Sequence, residues 1–187
     1  FLHVARKRGW QVAGCEPNRW LCDWGRARYG VPIRPGTVFD LEGNGRGAFD
    51  VVTLWDVLEH MPDPKAALLK CRDLLRPGGL LVVNYPDIGS WIARLMGRRW
   101  VFLLSVHLYY FTGATVARLL AETGFVPLER RPHIQRLELG YILYRMRPYV
   151  PWAHAVGSGA ARLLRIERLQ IPYWVGQTLI LARRPGP

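Results

Sequence analysis

Cysteine is scarce in this sequence: Cys15, Cys22 and Cys71 are odd in number, and no two are spaced as Cys-x-x-Cys. That excludes a disulfide framework and a zinc knuckle, and inert thiols fit a reducing, cytoplasmic setting. Lysine is nearly missing as well, since only Lys7, Lys65 and Lys70 stand among 26 basic residues and the rest are arginine. Apolar runs such as Trp100 to Leu104 are far shorter than the ~18 residues of a membrane span. Acid is scarce in the second half. Residues 1–90 carry 12 basic and 10 acidic side chains, and residues 91–187 carry 14 and 4. Of the net +12, +10 therefore belongs to the second half, where it can attract nucleic acid, anionic lipid or an anionic substrate.

What is present is a chain of 187 residues, half of them apolar, which is enough for one domain with a proper core over 1–187. Its opening, Phe1-Leu2-His3-Val4-Ala5-Arg6, reads as mid-helix, without a Met or a capping signal before it. Gly9 stops that helix, and Gln11 to Cys15 reads as a short buried strand. Pro17 and Asn18 start a helix with an apolar stripe of Trp20, Leu21, Trp24 and Ala27, ending at Gly30. Val31 to Val38 is a weak strand interrupted by Pro32 and Pro35, and Gly43 to Gly47 is a loop. Phe49 to Trp55 is β-branched and almost continuously apolar, as in a strand covered on both faces.

Asp63-Pro64 is an N-cap followed by proline at the first helical position. Ala67, Leu68, Cys71, Leu74 and Leu75 then share a face, and Arg76 to Gly79 ends the helix before a buried strand, Leu80 to Tyr85. Thr112 caps a helix that turns Val116, Leu119 and Leu120 inward and stops at Gly124. Phe125 to Leu137 and Trp174 to Ala182 read as strands, with helical segments around Tyr141 and Ala160 to Leu169 between them. Strands alternating with helices through short Gly/Pro turns give a doubly wound α/β sheet, whose ligands bind at the carboxyl ends of the strands. The last two strands would close it as an antiparallel pair.

The residues after each strand are therefore the ones that carry chemistry. Glu16 follows the first strand, where an acid accepts hydrogen bonds from ribose hydroxyls in nucleotide-binding folds. The block Phe49-Asp50-Val51-Val52-Thr53-Leu54-Trp55-Asp56-Val57-Leu58-Glu59-His60-Met61-Pro62-Asp63-Pro64, with Leu74 to Leu81, resembles the fourth and fifth strand regions of class I S-adenosylmethionine-dependent methyltransferases. Glu16-Pro17 and His107-Leu108-Tyr109-Tyr110-Phe111-Thr112 extend the resemblance along nearly the whole chain. It implies a Rossmann-like sheet, mostly parallel with an antiparallel last strand, and S-adenosylmethionine as cofactor. It also implies that the family's first strand and Gly-rich loop should immediately precede Phe1, on the order of 30 to 60 residues by the size of a βαβ unit.

Carried over residue by residue, the resemblance implies that Glu16 and Pro17 hold the ribose, Thr37 and Val38 lie beside adenine, and Trp55 and Asp56 touch the methionine moiety. Where Thr37 stands many relatives have an acid, and Asp40 is the nearest substitute. Residues 1–86 then form a cofactor-binding half and 87–187 an acceptor-pocket half.

Asp56, Glu59 and His60 fall three and four apart, so a helical turn over Asp56 to Met61 would put them on one face. In O-methyltransferases resembling those of ubiquinone biosynthesis a similar cluster can hold a divalent metal; the alternative is that Glu59 and His60 orient the loop. The cluster offers few carboxylates for a hard cation, and no metal is assigned. His60 and His107 are the candidates for deprotonating an acceptor, while His3 and His133 read as surface residues.

The expected activity is methyl transfer to a small molecule, at a hydroxyl oxygen. The acceptor pocket would lie in the Asp87 to Tyr110 insert and the basic helices, with Trp91, Trp100, Tyr109 and Tyr110 as walls and Arg94, Arg98 and Arg99 facing an anionic or lipid-like group. The competing reading of the insert is a surface helix that packs Trp91, Leu95 and Met96 on the sheet. RNA or protein methylation fits the basic charge, but the Asn/Asp-Pro-Pro-aromatic motif of base-amine enzymes is absent after the fourth strand. A non-catalytic module that binds a partner or a lipid surface through the arginine-rich segments is the third reading.

Overall fold

The computed structural model describes residues 1–41 and 47–186; the loop expected over 43–47 lies outside them except for Gly47. The chain opens with α1 (Leu2–Lys7), closed by Arg8 and a left-handed Gly9. A three-residue strand β1 (Gly14–Glu16) follows, then α2 (Arg19–Tyr29) and β2 (Ile33–Pro35). β1 is shorter than the Gln11 to Cys15 expectation because its one ladder is the parallel pairing of Gly14 to Glu16 with Ile33 to Pro35.

The stripe expected to bury α2 is not its buried face. Trp20, Leu21 and Trp24 are exposed, while Cys22 and Gly25 point inward. The cause is the closeness of approach: a Cβ on Gly25 would fall 2.9 Å from Ile33 Cδ1, so small residues face β2 and the large ones are left outside. Asn18 caps the helix through its side chain, which places Pro17 just before the cap, and Gly30 ends it in the left-handed conformation.

The second sheet holds most of the core. β3 (Phe49–Trp55) pairs in parallel with β4 (Leu75–Pro86), and β8 (Gln177–Arg183) lies antiparallel between β4 and β5 (Val126–Pro132). Its order β3-β4-β8-β5 carries the antiparallel closing pair that the tail pattern predicts. Among the described residues β1 and β3 share no ladder, so they belong to separate sheets that flank a crevice.

α3 (Pro64–Leu74) starts at the Asp63 cap as expected and buries Ala67, Leu68, Cys71 and Leu74. Each such leucine contributes roughly 1.5–3 kcal/mol of transfer free energy. No break separates α3 from β4. Phe49 pairs with Leu75 and Val51 with Leu80, so Arg76 to Gly79 bulges within the strand rather than preceding it. α5 (Gly113–Glu122), capped by Thr112, seals the other end of this core with Val116 and Leu120.

The insert and tail depart further. α4 (Trp91–Met96) buries only Ala93, and Trp91 and Leu95 are 65% and 75% exposed, so the helix does not pack that face on the sheet. Trp91 instead lies against Trp174, ring centroids 5.8 Å apart. The stretch read as one strand to Leu137 divides into β5 and β6 (Gln135–Glu138), and β6 pairs antiparallel with β7 (Gln170–Tyr173). Between them stand α6 (Leu139–Met146) and α7 (Pro151–Leu163), the latter ahead of the expected 160–169 because Pro151 sits in its first turn.

Candidate active site

Two facts locate the carboxyl edge of the strands. Residues that precede or open the strands, Ala13 and Gly14 for β1, Pro32 for β2, Phe49 for β3 and Leu74 before β4, line one crevice. The carboxyl ends therefore gather on the opposite side, and these carry Glu16, Thr37, Trp55 and Asp56. The start of α1 reaches the same edge, where the Phe1 ring lies 5.2 Å from that of Trp55.

The first group is built on β1 and β2. Glu16 Oε1 accepts from Asn18 N at 2.9 Å, and Gly36 N donates to Glu16 O at 3.0 Å, which brings the Thr37 turn beside the acid. Thr37 caps the turn Val38–Asp40 and donates to Asp40 Oδ2 from both its backbone N and its hydroxyl, at 2.8 and 2.9 Å. Those bonds hold the Asp40 carboxyl below its ordinary range and commit it to Thr37. Val38 turns its side chain into the core, so only its backbone is available to a ligand.

The second group surrounds Asp56, which has φ 50°, a conformation a non-glycine residue adopts at some cost. Asn84 Nδ2 donates to Asp56 Oδ1 at 2.7 Å, and Gln177 Nε2 donates to Oδ1 at 2.9 Å and Oδ2 at 3.0 Å. These amides come from β4 and the first residue of β8. The carboxyl is nevertheless pushed above its ordinary range by burial, opposed by Gln177 and by the His133 and His60 imidazoles. His133 is therefore not the surface residue expected: its ring lies 5.6 Å from Trp55, and burial lowers its basicity.

The third group is Glu59, His60 and His107, whose ligating atoms all lie within 4.8 Å of one another. Asp56 is not in it. The turn is a 3-10 helix over Leu58–His60 and Asp56 stands outside it, so the expected Asp56–Glu59–His60 face does not form. The two imidazoles meet edge to face at 4.8 Å. His60 Nδ1 is 3.0 Å from Val106 O, an acceptor only, so Nδ1 carries the proton and Nε2 is the basic nitrogen. Burial, with His60 beside it, holds His107 below its ordinary range.

Glu59 is 1% exposed, and neither carboxyl oxygen has a hydrogen-bond partner among the described residues. Burial raises its pKa to about 7, with the Asp56 charge adding and its own backbone and His60 opposing. One carboxylate with two imidazoles is a donor set suited to a borderline cation rather than to Mg²⁺ or Ca²⁺.

The insert folds over this group. Leu108 N and Tyr109 N donate to Glu59 O at 2.9 and 3.2 Å, and Tyr109 Oη donates to Pro62 O at 3.0 Å. Trp100, expected as a pocket wall, is 3% exposed and donates from Nε1 to Val175 O at 2.7 Å; it anchors the insert to the tail. Arg94, Arg98 and Arg99 stay exposed.

The family model described as "Methyltransferase domain" matches residues 1–130. The chain belongs to this methyltransferase family. A ubiquinone biosynthesis O-methyltransferase from Xanthomonas oryzae pv. oryzae is 44% identical over 136 residues, covering 63% of this chain and 57% of that protein. The chain thus spans little more than half the length of that relative. Among solved structures, the cyclase SpnF shares the fold at TM-score 0.61 and 19% identity, covering 100% of this chain and 70% of its own. So does 1,6-didemethyltoxoflavin-N1-methyltransferase from Burkholderia thailandensis, with S-adenosylhomocysteine bound, at TM-score 0.53 and 20% identity over 97% and 64%. A cyclase among these neighbours shows that the fold alone does not choose the reaction, so the site residues must.

Sequence reasoning missed Gln177, Asn84 and His133 as the residues around Asp56. Asn84 stands at a strand end and was open to the same logic as Glu16. Gln177 and His133 become visible only once β8 is placed beside β4 and β5 beside β8.

Proposed function

We propose that this domain binds S-adenosylmethionine along the carboxyl edge of its strands and directs methyl transfer to a small-molecule hydroxyl. What carries the reading is one edge that presents both a strand-end acid, Glu16, and a fixed Trp55–Asp56 segment, in a chain of the methyltransferase family. When bound, the cofactor supplies a methyl group on a positively charged sulfur. Glu16, positioned by Asn18, accepts from paired ribose hydroxyls, and Pro17 fixes the backbone that follows it. The Thr37–Val38 turn borders adenine, offering backbone and apolar contact, since the Asp40 carboxylate is already engaged.

Trp55 and Asp56 form the wall nearest the reacting end. Asn84 and Gln177 hold the carboxylate in place before any ligand arrives, which is the preorganisation that in-line transfer needs. His60 presents Nε2 as the nitrogen that takes the acceptor's proton, and His107 packs against it. The name of the Xanthomonas relative supports oxygen as the accepting atom.

The test is methyl transfer from labelled S-adenosylmethionine to matched small phenols and amines, with products identified by mass spectrometry. Label on the phenolic oxygen alone is the expected result; label on the amine alone would move the proposal to nitrogen.

A further inference from the structure

Between β6 and β7 the chain makes one excursion, residues 139–169, closed at its base where Leu139 N and Gly140 N donate to Leu169 O and Glu167 O, both at 2.9 Å. It lies beyond the 1–130 region that the family model matches. α6 and α7 pack together through small residues. A Cβ on Gly157 would fall 2.7 Å from Leu143 Cδ2, Ala161 is buried, and His154 Nδ1 lies 3.0 Å from Leu143 O and 3.2 Å from Ser158 Oγ.

With that face spent on α6, the 3.6-residue period leaves Trp152, Ala155, Val156, Gly159 and Leu163 as the outward stripe. The stripe contains no charged residue, and Trp152, Val156 and Leu163 are 73%, 69% and 84% exposed. Arginines stand at both ends: Arg145 and Arg147 before α7, and Arg162, Arg165 and Arg168 along and after its last turn. The single acid of the excursion, Glu167, is paired with Arg162 at 3.4 Å. Tyr144 and Tyr149 are exposed beside them.

We propose that the outer face of α7 docks in the plane of an anionic lipid bilayer, independently of the methyl-transfer reading. Thirteen residues span about 20 Å at ~1.5 Å each, too short for a hydrocarbon layer of about 30 Å, so the helix lies on the surface. Val156 and Leu163 enter the acyl boundary, and Trp152, Tyr144 and Tyr149 sit at headgroup depth, where amphipathic rings are favoured. The arginines reach lipid phosphates along their apolar stems. A free phosphate would meet the arginines but leave the stripe in water. A second copy of this chain would cover the stripe only by setting one arginine rim against another, in a protein already carrying +12.

The experiment is co-sedimentation of the full chain with phosphatidylcholine vesicles, with and without about 30 mol% phosphatidylglycerol, at low and high salt. A paired measurement uses the Val156→Asp/Leu163→Asp variant, whose substituted positions are exposed and whose melting temperature should match the wild type. We expect binding to the phosphatidylglycerol vesicles that salt weakens and that the variant loses by about tenfold or more. Inorganic phosphate at millimolar concentration should not compete. No binding, or binding unchanged in the folded variant, overturns the proposal. So does a wild-type dimer in sedimentation velocity that the variant converts to monomer, which would assign the stripe to a second copy.

Discussion

Gln177 Nε2 donates to both carboxylate oxygens of Asp56, joining residues 121 positions apart in the chain. The contact ties the first residue of β8 to the residue following β3, across Asn84 of β4, which donates to the same carboxylate. An otherwise costly left-handed Asp56 is held by two amides from a rigid sheet.

Gln177→Leu removes one of those donors and leaves a partly buried carboxylate under-satisfied. The expected result is a loss of roughly 1–3 kcal/mol of stability, the usual cost of stranding a buried polar group. S-adenosylmethionine affinity should fall by about tenfold or more, because an acid no longer fixed in place positions a ligand poorly. Thermal melts and calorimetric titration of the variant check both. Unchanged affinity would remove Asp56 from the cofactor contacts.

Glu59 gives a pH signature with a definite sign. Its carboxyl titrates near 4.5 when unfolded and at about 7 when folded. Between those values the folded state holds more protons, so stability falls as pH rises and levels off above about 7. Glu59→Gln, measured against wild type by denaturant unfolding in a chelator, should remove up to about 3 kcal/mol of that decline. The variant is then relatively more stable at pH 8 than at pH 5. A wild type that gains stability through its carboxylate over this interval would contradict the assignment.

His60→Phe tests the proposed base. If Nε2 of His60 takes the acceptor proton, kcat falls by about 10²–10⁴ while the Kd for S-adenosylmethionine stays near wild type. A full-rate variant would mean that positioning alone suffices and that His60 only anchors Val106.

Leu68→Ala examines the core apart from the site. Leu68 is fully buried in the face that α3 presents to β3 and β4, and truncation should cost about 2–5 kcal/mol. Guanidinium unfolding measures it, and cofactor affinity below the melting transition should be unaffected.

The legible parts of the sequence were those with local causes. Asp63-Pro64 and Thr112 announce helices that cap themselves, and the run Phe49 to Trp55 allows little besides a strand. The closing antiparallel pair followed from element order. What stayed hidden depends on approach distances. The stripe on α2 points outward because Gly25 lets Ile33 come close, and α4 leaves Trp91 outside because Trp174 offers it a partner. In the site, Glu16 and Asp56 could be read from strand ends, whereas Gln177 and His133 reach Asp56 only through strand pairing far along the chain. The Glu59–His60–His107 cluster likewise needed the 3-10 turn that excludes Asp56, where an α-helical spacing was expected.

The measurement closest to the central claim is calorimetric titration of the full-length protein with S-adenosylmethionine, alongside Glu16→Ala. Glu16 is partly exposed at the end of β1, so its removal should leave the fold intact. The account predicts one site per chain for the wild type and an affinity reduced by about tenfold or more in the variant, the loss expected for a carboxylate that accepts ribose hydroxyls. A wild type that binds no S-adenosylmethionine, or a variant that binds it equally well, would contradict it.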